Sequence, residues 1–132
     1  LDPTLSVQAC ISLDTAYYLV DERPVPTLER PVLILSAGTT MFPTAGANRY
    51  LIDGSNDRNR EVVVRGASHM NFTDMNYMPR FLSLAGVLGS IDSVRAGTIT
   101  NDLTVSFFRH HLEGEPQSWL ENPGSRYSEL AD

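Results

Sequence analysis

Three short runs of apolar and β-branched residues, at 7–13, 31–36 and 60–65, dominate the first half of the chain, and none of them alternates polar with apolar. Runs this rich in apolar residues, without strict alternation, are what strands covered on both faces look like, as in parallel sheets with helices packed above and below. The segments between them are long enough for crossover connections. Residues 45–52 are predicted to form one crossover helix, closed by the turn chemistry of Gly54-Ser-Asn-Asp57, whereas 14–30, with Pro24 and Pro26, reads as an irregular surface connection. After the third run comes a loop, Gly66-Ala-Ser-His69, and then a helical remainder. Asp92 and Ser93 open a long helix in which Val94, Ile99, Leu103, Phe107, Phe108 and Leu112 recur at helical spacing until Gly114 stops the pattern. Residues 115–132 hold Pro116, Pro123 and Gly124 and are expected to be an irregular tail pinned by Trp119. The fold class that follows is α/β, with three parallel strands, crossover helices and a long C-terminal helix.

Composition excludes several functions. The formal charge is −6 and all ten basic residues are Arg. They form no cluster, which argues against nucleic-acid binding, a function that needs a concentrated positive patch. No apolar run approaches the roughly 18 residues of a membrane-spanning helix, and Leu1-Asp2-Pro3 lacks the basic start and apolar segment of a secretory signal. A single cysteine, Cys10, excludes an internal disulfide framework and, inside an apolar run, reads as a small buried hydrophobe. Compartment stays open on these grounds.

In an open parallel sheet, functional groups gather at the carboxyl ends of the strands. Asp14 directly follows the first run and His69 lies just past the third. A carboxylate that fixes the tautomer of a histidine and stabilises its imidazolium is the acid–base half of an acyl-transfer triad. The order Asp then His suits an α/β-hydrolase, whose serine comes earlier on a G-x-S-x-G elbow, yet no G-x-S-x-G occurs in the 132 residues. The loop after the second run, 37–46, contains no carboxylate, which leaves Asp14 as the acid. The structural alternatives are a turn-forming or capping Asp14 and a His69 hydrogen-bonded within its own loop. Asp74 is read with Thr73 as a helix cap, and 53–57 as a plain turn without the later Gly and closing Glu of a calcium loop. His110 and His111 are adjacent and point about 100° apart on a helix, so they do not jointly present to one metal ion. Met70 and Phe72, which flank the base, and Met41 and Phe42 are candidate linings of an apolar acyl pocket; Tyr17, Tyr18, Met75 and Tyr77 are as well read as core.

The stretches Ile11-Ser-Leu-Asp14, Arg65-Gly-Ala-Ser-His-Met-Asn-Phe-Thr-Asp74 and Gly89-Ser-Ile-Asp-Ser93, the last leading into a helix that ends Phe108-Arg-His-His-Leu112, carry a family likeness. They resemble the C-terminal part of the platelet-activating-factor acetylhydrolase family, the plasma type and its bacterial and fungal lipase-like relatives, over nearly residues 7 to 113. The resemblance implies the C-terminal portion of an α/β-hydrolase fold, a serine esterase or lipase, with Asp14 as triad acid and His69 as triad base. It implies an ester or phospholipid-like substrate and neither cofactor nor metal. Only 13 residues precede Asp14, where a serine elbow and its helix need roughly twenty or more. The nucleophile is therefore expected upstream of residue 1 or on a partner chain, and this chain alone is expected to be inactive. Its start at Leu rather than Met, and a length short of the roughly 200–250 residues of a large α/β domain, fit that expectation. The strand at 7–13 is expected to pair along its outer edge with the missing N-terminal portion or a second chain. The alternative is a non-catalytic hydrolase-like or small α/β binding domain.

Overall fold

The computed structural model describes residues 6–15, 29–39, 59–78, 81 and 86–131. Within them the three apolar runs become β1 (Cys10–Leu13), β2 (Val32–Ala37) and β3 (Arg60–Val64), and a fourth strand, β4 (Leu130–Ala131), closes the sheet in the order β1-β2-β3-β4. β1 pairs with β2 in parallel, Cys10 opposite Val32, and β2 with β3 in parallel, Leu33 opposite Arg60. Both crossover segments, including the helix predicted at 45–52, the turn at 53–57, Tyr17 and Tyr18, lie outside the described residues.

All six residues of β2 are buried, as a central strand covered on both faces requires. One face of the sheet, Leu33, Leu35, Val62 and Val64, packs against Ile99, Leu103 and Phe107 of a 16-residue helix, α1 (Ser93–Phe108), with Tyr127 and Leu130 completing the cluster. Each large aliphatic side chain buried there contributes about 1.5–3 kcal/mol. α1 starts where the sequence places it, with the Asp92 carboxylate accepting the Arg95 N–H at 3.0 Å. It ends in a π turn, Arg109–Glu113, and a left-handed Gly114 at φ 73°. Of the apolar positions expected on its buried face, Ile99, Leu103 and Phe107 are there, four residues apart, whereas Val94 and Leu112 are exposed. Val94 precedes Ile99 by five residues, about 140° around the helix, and Leu112 lies in the wider π turn, so neither keeps to the stripe.

Two further expectations are corrected. Cys10 is exposed rather than buried, because β1 is the edge strand among the described residues and Cys10 sits at its start, while Ser12 is the residue β1 buries. The tail at 115–132 is not wholly irregular. It makes two 3-10 turns, Ser118–Leu120 and Pro123–Ser125, and returns as β4, antiparallel to β3 with Val64 opposite Leu130. A two-residue strand has no readable period; tertiary hydrogen bonding makes it, including Arg65 N–H to the Glu129 carbonyl at 2.8 Å.

Charged and aromatic side chains rivet this tail to α1. Arg95 donates to both carboxylate oxygens of Glu129, at 2.7 and 3.0 Å, and its guanidinium lies 4.7 Å from the Tyr127 ring centre. Arg126 covers the Trp119 ring at 4.9 Å and pairs with Asp102 at 2.8 Å. Tyr127 donates its hydroxyl to the same Asp102 carboxylate at 2.5 Å. Trp119, half-buried, packs on the core as its size suggested. The Arg95 hydrogen bonds hold the Glu129 carboxyl down to about 2. A carboxyl lowered on folding stabilises the fold above its ordinary value and loses that contribution as pH falls through the lowered one. Between about pH 4.5 and pH 2 the unfolding temperature is therefore expected to fall more steeply in the wild type than in Glu129→Gln. The difference will be small because both partners are partly solvated. Parallel slopes in the two proteins, measured by circular dichroism melts, would remove the pair from the acid-stability account.

Candidate active site

Asp14 leaves β1 at its carboxyl end with φ 47°, the one left-handed non-glycine residue among the described ones. Asp tolerates this region better than most residues because its short polar side chain bonds locally. The Asp14 N–H still reaches the Leu35 carbonyl at 2.7 Å, so the ladder with β2 is kept while the side chain turns across the strand ends. Oδ1 accepts the Ala37 N–H at 2.8 Å and Oδ2 faces His69 Nδ1 at 2.9 Å. β1 and β3 flank β2 and so stand roughly 9–10 Å apart. Asp14 and the loop after β3 must both lean over the end of β2 to meet, and the turn at Asp14 supplies that lean.

His69 opens a 3-10 turn, His69–Phe72, beyond the end of β3. Its loop is fastened to the neighbouring segments by backbone bonds: Thr39 N–H to the Ala67 carbonyl at 2.8 Å and Ile91 N–H to the Gly66 carbonyl at 3.0 Å. Exposure within the pair is strongly unequal. The His69 side chain is 56% exposed and the Asp14 side chain 3%. A carboxylate accepts from Nδ1–H, which places the lone pair of the neutral ring on Nε2. The carboxylate is thus enclosed and satisfied by two donors, and the imidazole is left accessible for a proton from outside the pair.

The other sequence candidates fall differently. Met70 is half-buried beside His69, but Phe72 packs on the hydrophobic core, and Met41 and Phe42 lie outside the described residues. Thr73, not Asp74, caps the next 3-10 turn, its hydroxyl accepting the Met75 N–H at 3.2 Å. His110 Nδ1 faces the Glu115 carbonyl at 2.9 Å, and the His111 ring meets the Phe107 ring edge-on at 4.5 Å. A cavity of about 360 Å³ opens at the other end of the sheet. Leu33 and Arg60, early in β2 and β3, line it together with the end of α1 and the tail, and neither Asp14 nor His69 takes part. Among the described residues this cavity lies away from the oriented Asp14–His69 pair, which is the candidate site.

Two residues escaped the sequence reading. Asn71 and Asn76 are buried, Asn76 completely, and are hydrogen-bonded to each other at 2.9 Å just behind His69. Asn71 stands inside the motif around His69, yet nothing in its spacing distinguishes a buried amide from a turn former.

The chain matches the family model of platelet-activating factor acetylhydrolase, isoform II, over residues 2–127. Among solved structures it is similar to a ferulic acid esterase from Streptomyces cinnamoneus, with 29% sequence identity and a TM-score of 0.78 over 95% of this chain and 39% of that one. The chain thus spans well under half the length of that esterase. None of the curated proteins matches it. The likeness agrees with the α/β fold described above, a largely parallel sheet with one long helix packed on it. With nearly the whole chain matched, including β1, the His69 loop and α1, it belongs to the platelet-activating factor acetylhydrolase, isoform II, family.

Proposed function

We propose that this chain supplies the acid and base of a serine-dependent carboxylic ester hydrolase, Asp14 and His69, and that the nucleophilic serine lies upstream of residue 1 or on a partner chain. The observation that carries the reading is the 2.9 Å contact between a buried carboxylate and an accessible imidazole at the carboxyl edge of a parallel sheet. Family membership and the similar ferulic acid esterase support it, since both names denote ester hydrolysis.

The chemistry follows from the tautomer. Nε2 accepts the serine proton as the serine oxygen attacks the ester carbonyl, and Asp14 stabilises the imidazolium that forms. The tetrahedral intermediate collapses as Nε2–H passes its proton to the leaving alkoxide. Water, deprotonated by the same nitrogen, then releases the acid from the acyl-enzyme. Asp14 orients the ring throughout, with Oδ1 held by the Ala37 N–H and Oδ2 facing Nδ1. The substrate class is an ester, of small-molecule or phospholipid type. In the assembled enzyme the outer edge of β1, unpaired among the described residues, pairs with a strand of the portion that carries the serine, which satisfies its outward backbone groups.

Fluorophosphonate labelling tests the split site. The full protein should become labelled on a serine outside residues 1–132, and the labelling rate should collapse in His69→Ala. A label mapped by peptide mass spectrometry to a serine within the chain, or labelling indifferent to His69, would refute the assignment.

A further inference from the structure

We infer that Asn71 and Asn76 form a buried amide relay that positions His69 for proton transfer, tying the turn that carries the base to the start of α1. The inference rests on the ester-hydrolase reading above and adds two positioning residues to it.

The relay starts at the residue before the base. Asn71 Oδ1 accepts two backbone N–H groups, from Ser68 and from Gly89, both at 2.8 Å. Two convergent donors leave that side-chain amide one orientation, oxygen toward the backbone, so its nitrogen points the other way. Asn71 Nδ2 donates to Asn76 Oδ1 at 2.9 Å. The second amide is fixed in turn, and Asn76 Nδ2 donates to the Ser93 carbonyl at 2.7 Å, at the first residue of α1. Ser68 is held a second time by its hydroxyl, which donates to the Val87 carbonyl at 2.8 Å. Asn76 is fully buried and Asn71 nearly so, and buried amides persist at such depth only when they are paired.

Burial with the amides hydrogen-bonded to segments beyond their own turns is what separates this pair from ordinary turn formers. An apolar residue of similar size would fill the same space without the cost of burying an amide. What the amides add is direction. They tie the His69 turn to two points on one later stretch, Gly89 in the strip at 86–92 and Ser93 at the head of α1 into which that strip runs. His69 itself is mostly exposed, and among the described residues its side chain has one hydrogen-bond partner, Asp14. An error of about 1 Å in a base costs roughly 10²-fold in rate, so the stiffness of the turn beneath it matters for catalysis.

The test uses the full protein with Asn71→Asp and Asn76→Leu. Asn71→Asp keeps both acceptor contacts to the Ser68 and Gly89 N–H groups but sets a buried carboxylate oxygen against Asn76 Oδ1 in place of the donor, whereas Asn76→Leu breaks the same bond without adding charge. Each variant should lower kcat for p-nitrophenyl ester hydrolysis by about 10- to 100-fold with KM almost unchanged. Each should also shift or broaden the low-field proton NMR resonance of His69 Nδ1–H. A merely structural role would reduce activity only in proportion to the folded protein remaining, with kcat per folded molecule and the resonance intact; that result, in either variant, overturns the proposal. His69→Ala run alongside separates the two failures. Full activity there sinks the hydrolase reading itself, whereas an inactive His69→Ala beside wild-type-like Asn variants sinks only the relay.

Discussion

Asp14→Asn in the full protein should lower kcat for ester hydrolysis by about 10⁴-fold while leaving the fold and KM nearly as they are. The substitution is clean for two reasons. Asn tolerates the left-handed backbone at φ 47° as readily as Asp does, so the turn at the end of β1 is not strained. Its Oδ1 can still accept the Ala37 N–H. What changes is the group offered to His69. An Nδ2 donor in place of Oδ2 forces the ring to accept at Nδ1 and to carry its proton on Nε2, where the lone pair for the incoming serine proton should be. The developing imidazolium also loses its countercharge. His69→Ala should cost at least as much, and the double variant little more than the worse single, because members of one proton-transfer unit do not add. Steady-state kinetics on the three variants decides it. Near-wild-type turnover in Asp14→Asn, or strictly multiplicative losses in the double variant, would mean that the 2.9 Å contact is structural.

The parts legible in the sequence were those written in local pattern. The runs at 31–36 and 60–65 became β2 and β3 within a residue because continuous Val, Ile and Leu admit little else. Asp92 and Gly114 bounded the last helical segment because caps act through their immediate neighbours. The Asp14–His69 pair was readable from chain order and from the resemblance of the two loops. The errors came from properties that only the whole sheet sets. An apolar run does not say whether its strand is central or at an edge, and Cys10 was read as buried for that reason. β4 is two residues long and exists because Glu129 and Leu130 are delivered to β3 by the Arg95 and Tyr127 contacts. Asn71 and Asn76 carry no signature of burial; their partners are up to 18 residues away along the chain. Phe72, read as a pocket lining because it neighbours the base, is half-buried and packs on the hydrophobic core, a contact that its place in the motif does not signal.

Gly89→Ala should destabilise the protein by about 3 kcal/mol or more, while the same change at Gly97 should be close to neutral. A Cβ on Gly89 would lie 2.0 Å from the Gly66 carbonyl oxygen, 2.7 Å from the Ser68 nitrogen and 2.8 Å from the Ala67 carbonyl carbon. Every one of these atoms is backbone, so no rotamer change relieves the overlap; the strip at 86–92 must move off the His69 loop. That movement would pull the Gly89 N–H from Asn71 and open the bond from Ile91 N–H to the Gly66 carbonyl, so the base should be misplaced as well. A Cβ on Gly97 also meets an atom at short range, but it is the Tyr77 hydroxyl at 2.2 Å, the far end of an exposed side chain that can swing into solvent. There, replacing glycine inside α1 gains up to about 1 kcal/mol of helix propensity, which offsets the displaced ring. Urea denaturation of the two variants compares one added methyl group against backbone and against a free side-chain end. If Gly89→Ala unfolds at the wild-type midpoint, the close packing of this strip on the His69 loop is not a feature of the folded protein, and the positional argument for the base falls with it.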